Sequence, residues 1–305
     1  MSKRILSAVL LVLLVAGVVL TGCGGKKAVE SPKADNKPLK LGFVPSQTAA
    51  KLADTAKPFA DMLSKELGRP VEPYVIPDFA GLVEAMGAGQ VDIGFLNSLG
   101  YVLAAKQGYA KVVVKSVRNG SKTYRGQILV KADSPIKTAA DLKGKKFGFV
   151  DPASTSGYLF AAAWMKKQGV DPQKDVQGVS LGGHDKAVEA VLKGDVDAAA
   201  SFENAETILK TITQKYPDAG KQLRHLVVTA DIPNDTVSVR ADMDPQMVEK
   251  VKVALLKLGQ DPEARKSLKD IYPIDEFAEA QDSDYDNVRK VAETLGLNLE
   301  VLQSK

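Results

Sequence analysis

The chain has 305 residues, of which 45% are hydrophobic and 26% are charged, which is enough apolar material for one large or two medium globular domains. It carries 41 Lys and Arg residues against 37 Asp and Glu residues, a net charge of +4 at pH 7. No basic helix interleaved with aromatic residues occurs, so the sequence argues against a nucleic-acid partner.

Residues 1–22 have the pattern of an export signal. Lys3 and Arg4 precede residues 5–20, which are a nearly unbroken run of Leu, Val and Ala. The run also has the length of a short membrane span, so an uncleaved anchor helix is the alternative. The segment Leu20-Thr21-Gly22-Cys23 resembles the lipobox of bacterial lipoproteins, which implies cleavage before Cys23 and acylation of its thiol.

Cys23 is the only cysteine, so the chain has no internal disulfide and no cysteine-based metal site. Two or three acyl chains attached at this residue, at about 0.8 kcal/mol per buried CH₂, would anchor the protein to a membrane without a spanning helix. Residues 23–38 are polar and lack an apolar period, which predicts a lipidated flexible tether. The expected location is therefore extracytoplasmic, on the cell membrane.

From residue 39 onward, short β-branched runs alternate with longer amphipathic ones, a pattern that predicts an α/β protein with parallel sheets. The predicted strands cover residues 39–44, 71–76, 91–95, 112–117, 147–150, 176–181, 196–200 and 226–229. The predicted helices cover residues 55–67, 79–86, 156–168, 186–192 and 205–214. Beyond residue 245 the pattern predicts helices only, at residues 246–258, 262–271 and 284–295.

A short motif occurs twice with the same spacing. Val83-Glu84-Ala85 followed by Gly89-Gln90-Val91-Asp92 recurs as Val188-Glu189-Ala190 followed by Gly194-Asp195-Val196-Asp197. In both copies a helix ends at Gly and a strand begins at Val-Asp, which indicates two similarly built α/β lobes. Because open α/β sheets bind ligands beyond the carboxyl ends of their strands, the loops at those ends are the candidate binding site.

The loop Asp151-Pro152-Ala153-Ser154-Thr155-Ser156-Gly157, called the Ser-Thr-Ser loop below, lies between a predicted strand and a predicted helix. A helix N-terminus offers unpaired N–H groups and a partial positive charge, and three consecutive hydroxyls add donors, so the loop predicts an anion site. The alternative is an ordinary Ser or Thr N-cap.

His184 follows Gly182-Gly183 after a predicted strand, where glycines permit close backbone approach and an imidazole can donate to an anion. The other histidine, His225, is interpreted as a surface residue. Ser154, His184 and Asp185 also suggest a catalytic triad, but no Gly-x-Ser-x-Gly elbow occurs and Asp185 adjoins His184. Metal and nucleotide motifs do not occur either, and no cofactor is expected.

Several motifs together resemble the periplasmic binding proteins for phosphonate, phosphite and related phosphorus oxyanions that serve ABC transporters. The resemblance covers residues 39–300. It is carried by the Ser-Thr-Ser loop, Gly183-His184-Asp185, Pro77-Asp78-Phe79-Ala80-Gly81, Val91-Asp92-Ile93 and Asp141-Leu142-Lys143-Gly144-Lys145.

The resemblance implies a set of ligand-binding residues. They are Phe79, Tyr124, Ser154, Thr155, Ser156, His184, Asn204 and Asp235. Phe79 stands where the family commonly has a tyrosine, which removes a hydroxyl donor.

Two of these residues bear on selectivity. Asp235 follows Ile232-Pro233-Asn234 and can accept a hydrogen bond only from a ligand that carries a proton or an ammonium group, so it would select against sulfate. Its alternative role is in a turn. Asn204 stands where aminoalkylphosphonate binders have a second carboxylate, and an amide cannot neutralise an ammonium group. Glu203 or Glu206 could substitute; otherwise phosphite, methylphosphonate and phosphate are comparable candidates.

The resemblance implies a type II periplasmic-binding-protein fold with two α/β lobes and a two-segment hinge. Lobe 1 is predicted at residues 39–124 and 235–305, and lobe 2 at residues 125–234. The expected protein is a monomer, not an enzyme, that closes on a small phosphorus oxyanion and is recognised by an ABC transporter permease. The alternatives are a sensory ligand-binding protein that reports to a membrane receptor and a Ser/His hydrolase.

Overall fold

The structure is a computed structural model that describes residues 37–44 and 52–296. The predicted signal, the tether up to residue 36 and Cys23 lie outside these described residues. The fold contains two separate sheets, each covered by helices, which confirms the predicted two-lobed α/β class. Within the described ranges, no helix combines the length and the apolar character needed to cross a membrane.

Lobe 1 is built on a six-stranded sheet with strand order β11-β4-β10-β3-β1-β2. Its strands are β1 (Leu39–Phe43), β2 (Val71–Val75), β3 (Ile93–Leu96), β4 (Ala110–Val117), β10 (Thr236–Arg240) and β11 (Glu276–Glu279). Its helices are α1 (Leu52–Leu67), α2 (Phe79–Gly87), α3 (Ser98–Lys106), α9 (Pro245–Leu258), α10 (Pro262–Ile271) and α11 (Asp286–Thr294), with a 3₁₀ turn at Asp282–Tyr285. One of its two cores lies under α1, α9 and α10, where Phe43, Phe59 and Phe95 are buried.

Lobe 2 is built on a five-stranded sheet with strand order β7-β6-β8-β5-β9. Its strands are β5 (Thr123–Lys131), β6 (Lys146–Phe149), β7 (Gln177–Ser180), β8 (Ala198–Phe202) and β9 (Leu223–Pro233). A 3₁₀ turn at Ala140–Leu142 precedes β6, a π-helical turn at Thr155–Leu159 leads into α4 (Phe160–Lys167), and α5 (His184–Lys193), α6 (Ala205–Ile208), α7 (Lys210–Lys215) and α8 (Ala219–Gln222) complete the lobe.

The two lobes are joined by two crossover segments, between β4 and β5 and between β9 and β10. Asn234 lies in the second segment, is completely buried, and donates from its side chain to the carbonyl oxygens of Ser116 (3.0 Å) and Ser121 (2.9 Å) in or beside the first. The buried Tyr285 hydroxyl donates to the Asn234 carbonyl at 3.0 Å. The hinge therefore has two segments that are bonded to each other. The predicted lobe boundary after residue 124 falls just inside β5 and stays a prediction.

The repeated sequence motif forms the same local structure in both lobes. Gly89 and Gly194 both have left-handed backbone conformations, with φ of 68° and 81°, at the end of their helices. The aspartate that ends each copy of the motif then reaches a strand of its own lobe: Asp92 accepts from the Lys40 N–H of β1 and Asp197 from the Lys146 N–H of β6, both at 2.9 Å. The motif thus fixes the register between helix, loop and central strands twice.

Three predictions about elements were wrong. The sheets are mixed, since β10 and β11 run antiparallel to the other strands of lobe 1 and β5 runs antiparallel to the other strands of lobe 2. The segment beyond residue 245 is not helical throughout, because β11 pairs with β4 at the edge of the sheet. The predicted helix at residues 205–214 is interrupted at Leu209, whose backbone is extended. In each case, pairing or packing with distant residues overrides the local pattern.

Candidate functional site

A cavity of about 70 Å³ lies between the two lobes. All its lining residues follow the carboxyl end of a strand, as expected for ligand sites in open α/β sheets. They are Val44 after β1, Pro77, Asp78 and Phe79 after β2, Val150 and Asp151 after β6, and Gly182, Gly183 and His184 after β7. Phe79 and His184, two of the residues singled out in the sequence, therefore face the same cavity from opposite lobes.

The Ser-Thr-Ser loop begins at this cavity and ends in the π-helical turn. The Leu159 N–H donates to the Ser154 carbonyl, five residues back, at 3.1 Å, and π turns of this kind are frequent at functional sites. A Cβ atom at Gly157 would lie 2.5 Å from the Val150 side chain, so only glycine fits there. The turn thus places the start of the helix directly against the end of β6.

The three hydroxyls of the loop are almost completely buried and have different partners. Ser154 accepts from the Gly157 N–H at 3.1 Å, which is the N-cap role considered as the alternative. Thr155 accepts from the Leu99 N–H of lobe 1 at 2.9 Å. The Tyr124 hydroxyl lies near both Thr155 and Ser156, whose hydroxyls act to lower its pKa. The hydroxyls do not all point at one centre, while the N–H groups of Thr155 and Ser156, at the start of the helix, have no partner within it.

Tyr124 is the second residue of β5, directly after the first hinge segment. Burial raises the pKa of its hydroxyl well above the ordinary value, and the nearby Asp235 carboxylate acts in the same direction. The phenol is therefore a neutral donor at physiological pH. Its proximity to Thr155 and Ser156 places β5 beside the Ser-Thr-Ser loop, so the structure brings these three predicted residues together.

His184 begins α5 and is only 7% exposed. Burial lowers its pKa to about 4, so the imidazole is neutral at pH 7 and has one donor and one acceptor nitrogen. Its Nδ1 atom lies 3.0 Å from the Ser201 hydroxyl, and its ring contacts the ring of Phe202 at 4.9 Å between centroids. If Ser201 donates to Nδ1, then Nε2 carries the proton and can donate to a bound anion.

Asp235 lies in the second hinge segment, where its carboxylate is paired with Arg118 of the first. The Arg118 Nη2 and Asp235 Oδ2 atoms are 2.6 Å apart, and the two side chains are 21% and 27% exposed. Burial works to lower the pKa of Arg118, but the Asp235 carboxylate outweighs it and keeps the guanidinium charged. The sequence interpretation treated Asp235 as an isolated acceptor; in the structure its charge is compensated.

Asn204 lies at the carboxyl end of β8 with φ of 62°, a left-handed conformation that asparagine tolerates. Its backbone N–H donates to the side chain of the buried Gln127 at 3.0 Å. Both neighbouring carboxylates have other partners. Glu203 forms two hydrogen bonds with Arg125, at 2.7 and 2.9 Å, and the buried Glu206 accepts from Gln127 at 2.8 Å.

His225 is not merely a surface residue, which corrects the interpretation from sequence. Its Nε2 atom lies 3.1 Å from Glu206 Oε1, so it completes a chain of side chains from Gln127 through Glu206. This chain supports the loop at Asn204 from behind.

The catalytic-triad alternative has no support in the contacts. Ser154 is bonded to Gly157 and His184 to Ser201, while Asp185 accepts from the N–H of its neighbour Lys186 at 2.9 Å. Among the described residues, no three His, Cys, Asp or Glu side chains are grouped as metal ligands.

Sequence reasoning missed Arg118, Ser201, Leu99 and the two cavity carboxylates Asp78 and Asp151. Burial raises the pKa of Asp151, and Asp78 across the cavity adds to the effect. Each carboxylate also accepts a hydrogen bond from a nearby backbone N–H at 2.7 Å, Asp78 from Gly81 and Asp151 from Ala153. Ser201, Asp78 and Asp151 could have been found in the sequence from their position at the carboxyl end of a strand. No sequence pattern indicated Arg118.

Two α/β lobes, a two-segment hinge and polar loops at facing strand ends define a solute-binding protein of the type II class. A family model described as ABC transporter, phosphonate, periplasmic substrate-binding protein matches residues 41–285. The chain belongs to this family, which confirms the resemblance read from its motifs.

Individual relatives agree with this assignment. The chain is 29% identical to the phosphate-import protein PhnD of Mycolicibacterium smegmatis, over 92% of this chain and 93% of the relative. It is 27% identical to the phosphonates-binding periplasmic protein of Escherichia coli, over 84% and 77% of the two chains. The crystal structure of a binding-protein component of an ABC phosphonate transporter from Pseudomonas aeruginosa has the same fold, with a TM-score of 0.74, 23% identity, and coverage of 88% of this chain and 95% of that one.

Proposed function

We propose that the protein binds a phosphorus oxyanion in the cleft between its lobes and delivers it to the permease of an ABC importer. The observation that carries the ligand class is the junction of Tyr124 with the Ser-Thr-Ser loop. A neutral phenol lies near two hydroxyls at the buried start of a helix, beside a cavity that the neutral His184 lines. Such an assembly of uncharged donors suits a desolvated anion.

Each predicted residue has a role in this proposal. The N–H groups of Thr155 and Ser156 hold phosphorus oxygens at the helix start, with Ser154 capping the turn. His184 and Tyr124 donate from the sides, and Phe79 closes the cavity as an apolar wall. Asn204 lies on the lobe 2 side of the cleft and adds no charge to it. Asp235 accepts a proton-bearing oxygen while paired with Arg118.

The proposed role is binding without chemistry. Ser154 is engaged as a cap and His184 with Ser201, so these two side chains are not paired as nucleophile and base. The lobes close by bending at the hinge, and the closed surface is what a permease recognises. The protein works as a monomer and without a cofactor.

The proposed location is the outer face of the cell membrane, held by acyl chains on Cys23. The family is periplasmic, which supports an extracytoplasmic site, and the lipobox supports the lipid anchor. A flexible tether at residues 23–38 would let the folded part reach the permease.

Calorimetric titration of purified residues 24–305 tests the ligand class. The ligands are phosphate, phosphite, methylphosphonate, 2-aminoethylphosphonate and sulfate, at one pH and salt concentration. We expect one-to-one binding of at least one phosphorus compound and weaker binding of sulfate. Tight binding of sulfate alone, or of none of the five, would overturn the proposal, while turnover of a bound phosphonate would favour the hydrolase alternative.

A transport assay separates import from sensing. Cells that lack the gene should lose uptake of the ligand identified by titration and regain it with the wild-type gene. Unimpaired uptake would favour the sensory alternative.

A further inference from the structure

Arg118 and Asp235 connect the two hinge segments through a partly buried ion pair. Arg118 follows β4 and Asp235 precedes β10, and their side chains meet at 2.6 Å. The backbone holds both ends in place, because the Ser116 N–H donates to the Asp235 carbonyl at 2.9 Å and the Asn119 N–H donates to Asp275. The pair is therefore a fixed feature of the hinge and not a mobile surface contact.

The pair also adjoins the binding residues. Both its members act electrostatically on Tyr124, whose hydroxyl lies near Thr155 and Ser156. Asp235 and Arg118 also act electrostatically on Tyr272. The Tyr272 hydroxyl donates at 2.6 Å to the carbonyl of Val44, which lines the cavity. The charges of the pair are thus felt on both sides of the cleft.

Arg118 has donor capacity beyond the pair. Its Nε atom is buried and, among the described residues, has no hydrogen-bond partner. Buried donors without partners are uncommon in native proteins and point to a function or a missing partner. Because a guanidinium stays charged at any physiological pH, its effect on the site is permanent.

We propose that Arg118 determines which charge state of the ligand the cleft accepts, by cancelling the charge of Asp235. A lone carboxylate at the site would repel a doubly charged oxyanion and admit only a protonated, singly charged one. With Arg118 in place, Asp235 still accepts a hydrogen bond but contributes no net charge. The cleft then binds a dianion such as hydrogenphosphate. This inference rests on the proposed function and extends it to the ligand's charge.

A double-mutant cycle tests the proposal. Wild type, Arg118→Gln, Asp235→Asn and the double variant are titrated with phosphate at mildly alkaline pH, where the dianion predominates. Arg118→Gln should weaken binding about tenfold or more, because Asp235 is left uncompensated. The double variant removes both charges and should return to within about threefold of wild type. Arg118→Lys, which keeps the charge, should lose less than Arg118→Gln.

Each result decides the matter. Unchanged phosphate affinity in Arg118→Gln, or a double variant as weak as the single one, would show that charge compensation is not the role of Arg118. Should Arg118→Gln not fold, Asp235→Asn alone remains decisive: it leaves Arg118 unopposed, so its affinity for sulfate should rise roughly tenfold. Unchanged sulfate affinity would contradict the inference. If wild type binds no phosphorus oxyanion at all, the proposed function itself has failed, which the wild-type titration shows separately.

Discussion

The hydroxyl of Thr155 accepts a hydrogen bond from the Leu99 N–H across 2.9 Å, and this contact joins the Ser-Thr-Ser loop of lobe 2 to the first turn of α3 in lobe 1. A second bond runs alongside it, from the Asn97 side chain to the Ala153 carbonyl at 3.1 Å. The loop that is proposed to hold the ligand therefore also holds the lobes together.

Thr155→Ala should consequently lower both ligand affinity and stability. It leaves the Leu99 N–H buried without an acceptor, so the free energy of unfolding should fall by about 1–2 kcal/mol and affinity by roughly ten- to hundredfold. Thr155→Ser keeps the hydroxyl and serves as the control. Calorimetric titration and ligand-free urea unfolding measure the two effects, and an alanine variant as stable as the serine variant would contradict the lobe-joining role.

Ser201 should influence ligand binding through its contact with His184, without touching the ligand itself. Without its hydroxyl, nothing fixes the proton of the neutral imidazole on Nε2, so Ser201→Ala should weaken phosphorus-oxyanion binding about three- to tenfold. Ser267→Ala, at another buried serine far from the cavity, is the matched control and should leave affinity unchanged. Equal affinities in the two variants would show that Ser201 does not set the tautomer.

The stability of the ligand-free protein should depend on pH through His184. Its pKa is about 4 in the folded protein against 6.5 ordinarily, so between these values the unfolded chain binds more protons and stability falls as the pH falls. The full contribution is on the order of 3 kcal/mol, present above pH 6.5 and lost towards pH 4.

Urea unfolding across this pH range measures the effect as the difference between wild type and His184→Gln. His225→Gln is the control, since it removes the other histidine and keeps His184. Parallel stability curves for wild type and His184→Gln would show that the imidazole is not held neutral.

An ammonium group on the ligand should bring no extra affinity. Glu203 is occupied by Arg125 and Glu206 by Gln127 and His225, so 2-aminoethylphosphonate should bind no better than methylphosphonate. Arg125→Gln frees Glu203 and should raise the preference for the amine several-fold. Strong wild-type preference for 2-aminoethylphosphonate would instead indicate that Asp78 or Asp151, on the cavity wall, pairs with the ammonium.

Membrane attachment should depend on the Cys23 thiol. Cys23→Ser removes the acylation site, so the full chain should move from the membrane fraction to the soluble one, while the folded part binds ligand as before. Fractionation followed by immunoblotting measures this against wild type. A serine variant that stays with membranes after signal cleavage would rule out the lipid anchor.

Much of the fold could be predicted from the sequence because its signals are local. The repeated Val-Asp motif marks the same helix–loop–strand junction in both lobes, and the Ser-Thr-Ser loop and His184 follow the predicted strands at residues 147–150 and 176–181. In contrast, β11 has the sequence Glu-Phe-Ala-Glu, which carries no strand signal, and it is extended only because β4 offers it a pairing edge.

The site was harder to predict because its connections span long stretches of chain. Leu99 and Thr155 are 56 residues apart, and Arg118 and Asp235 are 117 apart. No periodicity relates such positions, so the compensation of Asp235 and the double role of Thr155 became visible only in three dimensions. A motif gives the residue types of a site, whereas their partners depend on the tertiary fold.

The buried amide of Asn234, bonded to the carbonyls of both Ser116 and Ser121, has a consequence for kinetics. Because the Asn234 side chain bonds the two hinge segments to each other, neither segment can bend while the other stays straight. Opening is then a single concerted rotation with one barrier, and ligand release should follow a single exponential. Asn234→Ala should uncouple the two hinge segments, and ligand release from this variant should then show more than one kinetic phase.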